Sequence, residues 1–269
     1  VITGVLILQV VLALGAFVLG VWLSRGQRLG PVAFATASLG ALALMLAFPL
    51  MRLVPAHAIG LFGPALVAMT EFTGVSIPGA ALFGLATPRL ARAAERRAVY
   101  ALLVIAGVYV VKAGWWMVGS GVGELGPTRW AGDVCLQSND STCVAASMVT
   151  MLASHGVRAT ETEMASLSFV EPGGGTTDSR AAWALHRALA SAGRVDLNVR
   201  YRAVTLDELA SLPKPTMVVL RWGFFVSHMV CVMDADAESV TLGDPLVGRR
   251  VVSVQAFLDE WNGLAMWLE

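Results

Sequence analysis

Polar and apolar positions follow different rules on the two sides of residue 120. Before it, apolar residues run in four long blocks: 1–23, broken only by Gln9 and small residues; 29–51, closed by Arg52, Pro55 and His57; 58–87; and 100–119, interrupted by Lys112 and ending on Trp115-Trp116. A helix needs about 20 apolar residues to cross a hydrocarbon core, so each block predicts a membrane span. The third block is longer than that minimum, carries Glu71 and Pro78, and is expected to tilt or break. The first has no basic flank ahead of it and is too long for the apolar segment of a signal peptide, so it is kept as a span.

Beyond residue 130 the periods shorten. A polar run, Gln137-Ser-Asn-Asp-Ser-Thr142, leads into Val144, Met148, Met151 and Leu152 at helical spacing. Ser141 or Thr142 is expected to cap this helix, and His155-Gly156 to end it. Thr160-Glu-Thr-Glu163 and Thr205-Leu-Asp-Glu208 have the spacing of capping boxes and predict two further helices. Glu171-Pro-Gly-Gly-Gly-Thr-Thr177 is a loop before a helix that runs through Trp183 and Leu189 to Gly193. Val195, Leu197, Val199 and Tyr201 alternate, as a strand does; more strands are expected at 216–222, 227–233, 239–242, 249–252 and 264–268, with a helix at 254–261. Helices first and strands after predict an α+β domain with a mainly antiparallel sheet. The plan is a transmembrane module of about four helices at 1–120 and one globular domain at 130–269.

Composition agrees with a membrane half. Charged residues make up only 14% of the chain, the net charge is zero and the mean hydropathy is +0.68. That balance excludes a nucleic-acid binder working through bulk positive charge. Arginine sets the orientation: Arg25 and Arg28 follow the first block, and Arg89, Arg92, Arg96 and Arg97 follow the third, whereas the second is followed by Arg52 alone. By the positive-inside rule the two arginine-rich loops are cytoplasmic, and the globular domain is extracytoplasmic. Splitting the third block into two spans would invert this. Glu71 and Lys112, charges at membrane depth, are functional candidates, with mutual pairing or snorkelling of Lys112 as the alternatives. The chain has no phosphate-binding Gly-x-x-x-x-Gly-Lys motif.

The candidate chemistry lies in the second half. Cys143 falls in the first turn of its predicted helix, where the dipole and unpaired amides favour the thiolate; plain packing is the other reading. A thiol nucleophile needs a base in reach, and the base needs an acceptor on its other nitrogen. His228 opens the strand Ser227-His-Met-Val-Cys-Val-Met233, where alternation sets His228, Val230 and Val232 opposite Met229, Cys231 and Met233. Asp244 lies in the turn Gly243-Asp-Pro245 after the next strand. These three supply nucleophile, base and orienting acid, against the blander readings of a strand histidine and a turn aspartate. Asp234 and Asp236 compete for the third role from the far end of the histidine's strand. Cys135 and Cys231 are either a disulfide pair or two buried thiols. With no Cys-x-x-Cys, no zinc site is expected, and no cofactor is implied.

Taken in order, Gln137 six positions before Cys143, the Gly-Thr-Thr loop, Lys214-Pro215 ahead of an apolar strand, Ser-His-Met-Val-Cys-Val, Gly-Asp-Pro and Phe257-Leu-Asp-Glu-Trp261 resemble the C39 peptidases. These are papain-like cysteine proteases best known as leader-cleaving domains of bacteriocin exporters. The resemblance covers roughly residues 134–268. It implies Cys143 as nucleophile, His228 as general base and acid, Asp244 as its orienter, and Gln137 as an oxyanion donor beside the Cys143 amide. It also implies a peptide or protein substrate, cut after Gly-Gly or other small residues, with no nucleic acid involved. Two departures stand out. Thr142-Cys143-Val144 replaces the usual Asp-Cys-Gly, and the spans precede a peptidase that has no ATP-binding domain. The expectation is therefore a stand-alone, multi-pass protein of the bacterial cell membrane with a periplasmic peptidase domain, acting on a membrane-associated substrate, with a separate transporter as candidate partner. A catalytically silent peptide-binding module and a transglutaminase-like acyl transferase are the alternatives.

Overall fold

A computed structural model describes residues 2–70, 74–114, 122–123, 125–223 and 226–269. The chain divides into two compact units, one of residues 1–54 and 69–119, the other of residues 55–68 and 120–269. Glu71, Trp115, Trp116 and Glu124 lie outside the described residues, and Lys112 falls within a helix.

In the first unit, α1 (Ile2–Ser24) and α2 (Pro31–Leu53) occupy the first two apolar blocks. Among the described residues these two helices are long and apolar enough to cross a membrane. The third block, whose residues are shared between the two units, is interrupted, one of the two outcomes its length led us to expect. It breaks into α3 (Pro55–Phe62), α4 (Pro64–Thr70) and α5 (Ser76–Ala86), of 8, 7 and 11 residues, each well short of the ~20 that a crossing needs. Prolines open α3 and α4, and Gly63 between them takes the left-handed conformation (φ +77°) that glycine adopts without strain. α6 (Ala93–Gly114) covers most of the fourth block.

α1 packs on α5 through small residues. A methyl group on Gly84 would lie 2.3 Å from the Phe17 carbonyl oxygen, and one on Gly20 would lie 2.8 Å from that of Ala81. The close approach of backbones is the way apolar helices associate where no water drives them together. Arg89, just after α5, donates to Ser24 Oγ (3.2 Å) and the Leu29 carbonyl (3.0 Å), and its guanidinium lies over the Phe34 ring. The two arginine-bearing turns therefore share one end of this unit.

The second unit carries the expected α+β domain. β1 (Arg129–Ala131) and β2 (Val134–Leu136) form a small hairpin. Helices α7 (Cys143–Ser154), α8 (Glu161–Leu167) and α9 (Asp178–Ser191) follow. Then come β3 (Val199–Ala203), α10 (Leu206–Ser211), β4 (Thr216–Arg221), β5 (Ser227–Ala235), β6 (Ser239–Asp244), β7 (Gly248–Ser253), α11 (Val254–Glu260) and β8 (Trp261–Leu268). The main sheet is antiparallel throughout, in the order β3-β8-β4-β5-β6-β7.

Alternation along the strands builds two cores. Met217, Met229, Cys231 and Met266 face α7 and α9, whereas Val218, Val230, Val232 and Leu242 pack with Leu209 of α10 and Phe257 of α11 on the other side. α7 is buried without interruption from Cys143 to Leu152, so at about 25 cal/mol per Å² of apolar surface its burial contributes to the first core along ten consecutive residues. The strand predicted at 195–201 is displaced: Val195 is solvent-exposed and β3 starts at Val199, because its register is set by pairing with β8. The β1–β2 hairpin has no counterpart in the sequence pattern.

Candidate active site

Cys143 is the first residue of α7 and is buried, with 9% exposure. Neither expected cap serves this helix. Thr142 occupies the N-cap position without a side-chain cap bond. Its hydroxyl bonds backward instead, donating to the Asn139 carbonyl (3.1 Å) and accepting from the Asn139 amide, while the Ser141 hydroxyl accepts from Gly173 N (2.8 Å). The cysteine thus stands at a helix start that its N-cap residue leaves without a side-chain cap, an environment suited to negative charge.

One turn further on, Ser147 ties α7 to the strand of the histidine. Its hydroxyl donates to the Met229 carbonyl (3.1 Å), and the Cys231 thiol donates to the Ser147 carbonyl (3.4 Å). Met229 adjoins His228, so this reciprocal pair sets the position of the thiol's helix against the imidazole's strand.

His228, 4% exposed, lies at the start of β5, and its Nε2 is 2.8 Å from Asp244 Oδ1. With Nε2 committed, Nδ1 is the nitrogen free for a thiol. The Trp222 ring stacks on the imidazole at 4.2 Å. Burial, the largest influence on this histidine, acts to lower its pKa, but hydrogen bonding and charge from Asp244 and Cys143 together more than offset it and raise the value to about 9. Asp244 is held by three donors: His228 and the Leu246 amide (3.0 Å) on Oδ1, and Arg250 Nε (2.9 Å) on Oδ2. Burial pulls this carboxyl upward, and those partners, led by His228, keep it below the ordinary carboxylate value.

Gln137 reaches the same region through its backbone. Its amide donates to the Pro245 carbonyl (2.9 Å), next to Asp244, and its own carbonyl accepts from Arg129 (2.6 Å). The side-chain Nε2 donates to the Asn139 carbonyl (2.8 Å), and Oε1 is buried without a partner among the described residues. One amide hydrogen remains uncommitted, since the group carries two.

The structure therefore brings Cys143, His228 and Asp244 together and anchors Gln137 to the Asp244–Pro245 turn. Glu71 lies outside the described residues. Asp236 closes the β5–β6 turn by accepting the Glu238 and Ser239 amides, and Asp234 accepts the amide of Ala235, so neither competes for His228. Cys135 and Cys231 are separate buried thiols, not a disulfide, and burial pushes each up to about 12. Among the described residues no group of three His, Cys, Asp or Glu could hold a metal ion.

Three neighbours escaped the sequence reading. Arg250 sits diagonally across the β6–β7 ladder from Asp244, and the demand of a buried carboxylate for a cationic partner was the available signal. Trp222 and Ser147 gave none, because ring stacking on His228 and a bond from one helix to one strand carbonyl depend on tertiary placement.

Residues 132–269 match the model of the Peptidase C39 family. An uncharacterized protein of Methanothermobacter thermautotrophicus is 31% identical over 136 residues, which cover 51% of this chain and 87% of that protein. Among solved structures, the peptidase domain of Streptococcus ComA, a bi-functional ABC transporter involved in a quorum sensing pathway, is similar with a TM-score of 0.43 and 23% identity, covering 49% of this chain and 94% of that one. A double glycine motif protease from an AMS/PCAT transporter, solved with its leader peptide, has a TM-score of 0.43 and 15% identity, over 53% of this chain and 93% of that one.

Proposed function

Because the chain belongs to the peptidase C39 family, we propose that it is a membrane-anchored cysteine peptidase that hydrolyses a peptide bond by Cys143-His228-Asp244 catalysis. The observation that carries this reading is Cys143 at an uncapped helix start, electrostatically coupled to a buried His228 whose other nitrogen is bonded to Asp244.

The Cys143 thiolate attacks the carbonyl carbon of the scissile bond. The Cys143 amide and the free hydrogen of Gln137 Nε2 receive the developing oxyanion. Imidazolium His228 protonates the leaving amine, and the neutral ring then takes a proton from the water that hydrolyses the thioester. Asp244 fixes the ring's orientation and stabilises its charged form, and Arg250 fixes Asp244.

The substrate in this reading is an exported or membrane-associated protein or leader peptide, cut after Gly-Gly or other small residues. The module of residues 1–120 anchors the domain of residues 130–269 on the periplasmic side of the bacterial cell membrane. Two apolar N-terminal helices support the anchoring, and the shared end of the two arginine-bearing turns supports their common cytoplasmic side. A separate transporter is the proposed partner.

Comparative proteomics of exported proteins from cells carrying wild type or Cys143→Ala tests the activity: uncleaved precursors are expected to accumulate with the variant. Identical processing in both strains, with the variant folded, overturns it. A reporter fused after Glu269 tests the side of the membrane.

A further inference from the structure

Glu161 is the first residue of α8 and belongs, by sequence, to an ordinary capping box. The box partner is Glu163, which is solvent-exposed; Glu161 is 1% exposed. A carboxylate buried that deeply costs several kcal/mol unless donors surround it. Both donors come from a single residue. Ser138 gives its backbone amide to Oε1 (2.7 Å) and its hydroxyl to Oε2. Ser138 directly follows Gln137.

The backbone on the other side of this contact is also fixed. The Gln137 amide is bound to the Pro245 carbonyl and its carbonyl to Arg129, and Glu161 itself is held at its amide by Thr128 Oγ1 (3.2 Å). Among the described residues, Glu161 is the acidic group that grips the 137–142 loop from outside it. Between Ser138 and Cys143, the loop's remaining bonds are largely internal, from Asn139 to Ser141 and Thr142, with Ser141 receiving Gly173.

We propose that Glu161 is a positioning residue for oxyanion stabilisation: by clamping Ser138 it holds the Gln137 side-chain amide where the developing oxyanion will be, while leaving Cys143 and His228 unaffected. This rests on the peptidase reading above.

Two small probes separate the effects on full-length protein in detergent, without the natural substrate. Iodoacetamide alkylates the thiolate by displacing iodide and develops no oxyanion, so its rate reports on Cys143 and His228 alone. 4-Nitrophenyl acetate acylates the same sulfur: the new C–S bond forms through a tetrahedral oxyanion, and the ester C–O bond breaks to release 4-nitrophenolate. Cys143→Ala supplies the background for both.

Glu161→Leu is expected to slow acylation at least about tenfold, toward the ~10²–10³-fold that loss of a whole donor costs, and to leave alkylation within about twofold of wild type. Glu161→Gln should restore most of the acylation rate, since an amide can accept from the Ser138 amide and donate to its hydroxyl oxygen. Should Glu161→Leu not fold, Ser138→Ala carries the test with a smaller fall in acylation at constant alkylation. Equal losses in both reactions, acylation unchanged in the folded variants, or Glu161→Gln no better than Glu161→Leu would overturn the proposal. Wild type that iodoacetamide modifies no faster than Cys143→Ala would instead sink the peptidase reading itself.

Discussion

Helices α8, α10 and α11 begin in one way and α7 in another; α9, whose N-cap Thr177 makes no side-chain cap bond, resembles α7 in that respect alone. Thr160 and Thr205 accept the amides of Glu163 and Glu208, whose carboxylates reach back to the threonine amides, and Ser253 accepts from Ala256. Each uses its own side chain to satisfy its own helix. α7 has a threonine in the same position, yet Thr142 turns its hydroxyl toward Asn139 and leaves the first turn uncapped. Forgone capping costs about 1 kcal/mol. What α7 gains is a first turn open to an incoming oxygen and a preceding loop bonded outward, to Glu161, Arg129, Pro245 and Gly173. A departure from local consistency is expected where a site overrides the fold.

The comparison is tested most severely at Asp244, the group on which the α7 arrangement depends for a charged His228. Asp244→Asn should cut thiol-dependent turnover by at least ~10²-fold. The pH dependence gives the sign. Folding raises His228 from 6.5 to about 9, so the ion-pair stabilisation is fully present below pH 6.5 and is lost as pH rises through about 9. In wild type the iodoacetamide rate should therefore hold to the alkaline side and change near pH 9. Removing Asp244 removes an upward influence on His228, and that limb should move to lower pH. A limb that stays in place would show that Asp244 does not act on the imidazole's charge.

Ser147 asks whether placement of α7 matters as much as the charge at its start. Ser147→Ala deletes the hydroxyl that bonds the Met229 carbonyl and should cost about 1–3 kcal/mol in denaturant unfolding. It lets the helix shift against β5, and turnover should fall roughly tenfold, within the ~10²-fold that a displacement of about 1 Å costs. Turnover at the wild-type level in a destabilised Ser147→Ala protein would mean that the thiol and the imidazole find each other without this tie.

The same contrast explains what could be read from residues alone. Capping boxes are local, with donor and acceptor three positions apart, and both appear where Thr160 and Thr205 predicted them. The strand faces were legible for a similar reason: alternation in 227–233 separates Cys231 from His228 whatever the partners. Cys143, His228 and Asp244 were legible as residue types in order. The behaviour of the 137–142 loop was not, because Thr142 turns to Asn139, Ser141 is taken by Gly173 more than thirty residues away, and Glu161 reaches Ser138. For the third apolar block a tilt or break was legible in its length, but the place of the break was not, since hydropathy measures transfer, not continuity, and Gly63 and the prolines interrupt the helix without making the block polar.

The smallest effect belongs to a conventional cap. α10 lies over the second core through Leu209, on the strand face opposite α7, and the Thr205 hydroxyl accepts from the Glu208 amide of its own helix. Thr205→Ala removes the bond to the Glu208 amide and half of the reciprocal pair, which should cost about 1 kcal/mol and lower the melting temperature by ~2–8 °C. Acylation and alkylation of Cys143 should both remain at wild-type rates, and the alkaline limb should stay near pH 9. The two kinds of helix start are distinct only if this holds. Should loss of the α10 cap slow the thiol chemistry as Asp244→Asn does, general loosening of the domain would account for both, and the uncapped start of α7 would need no functional explanation.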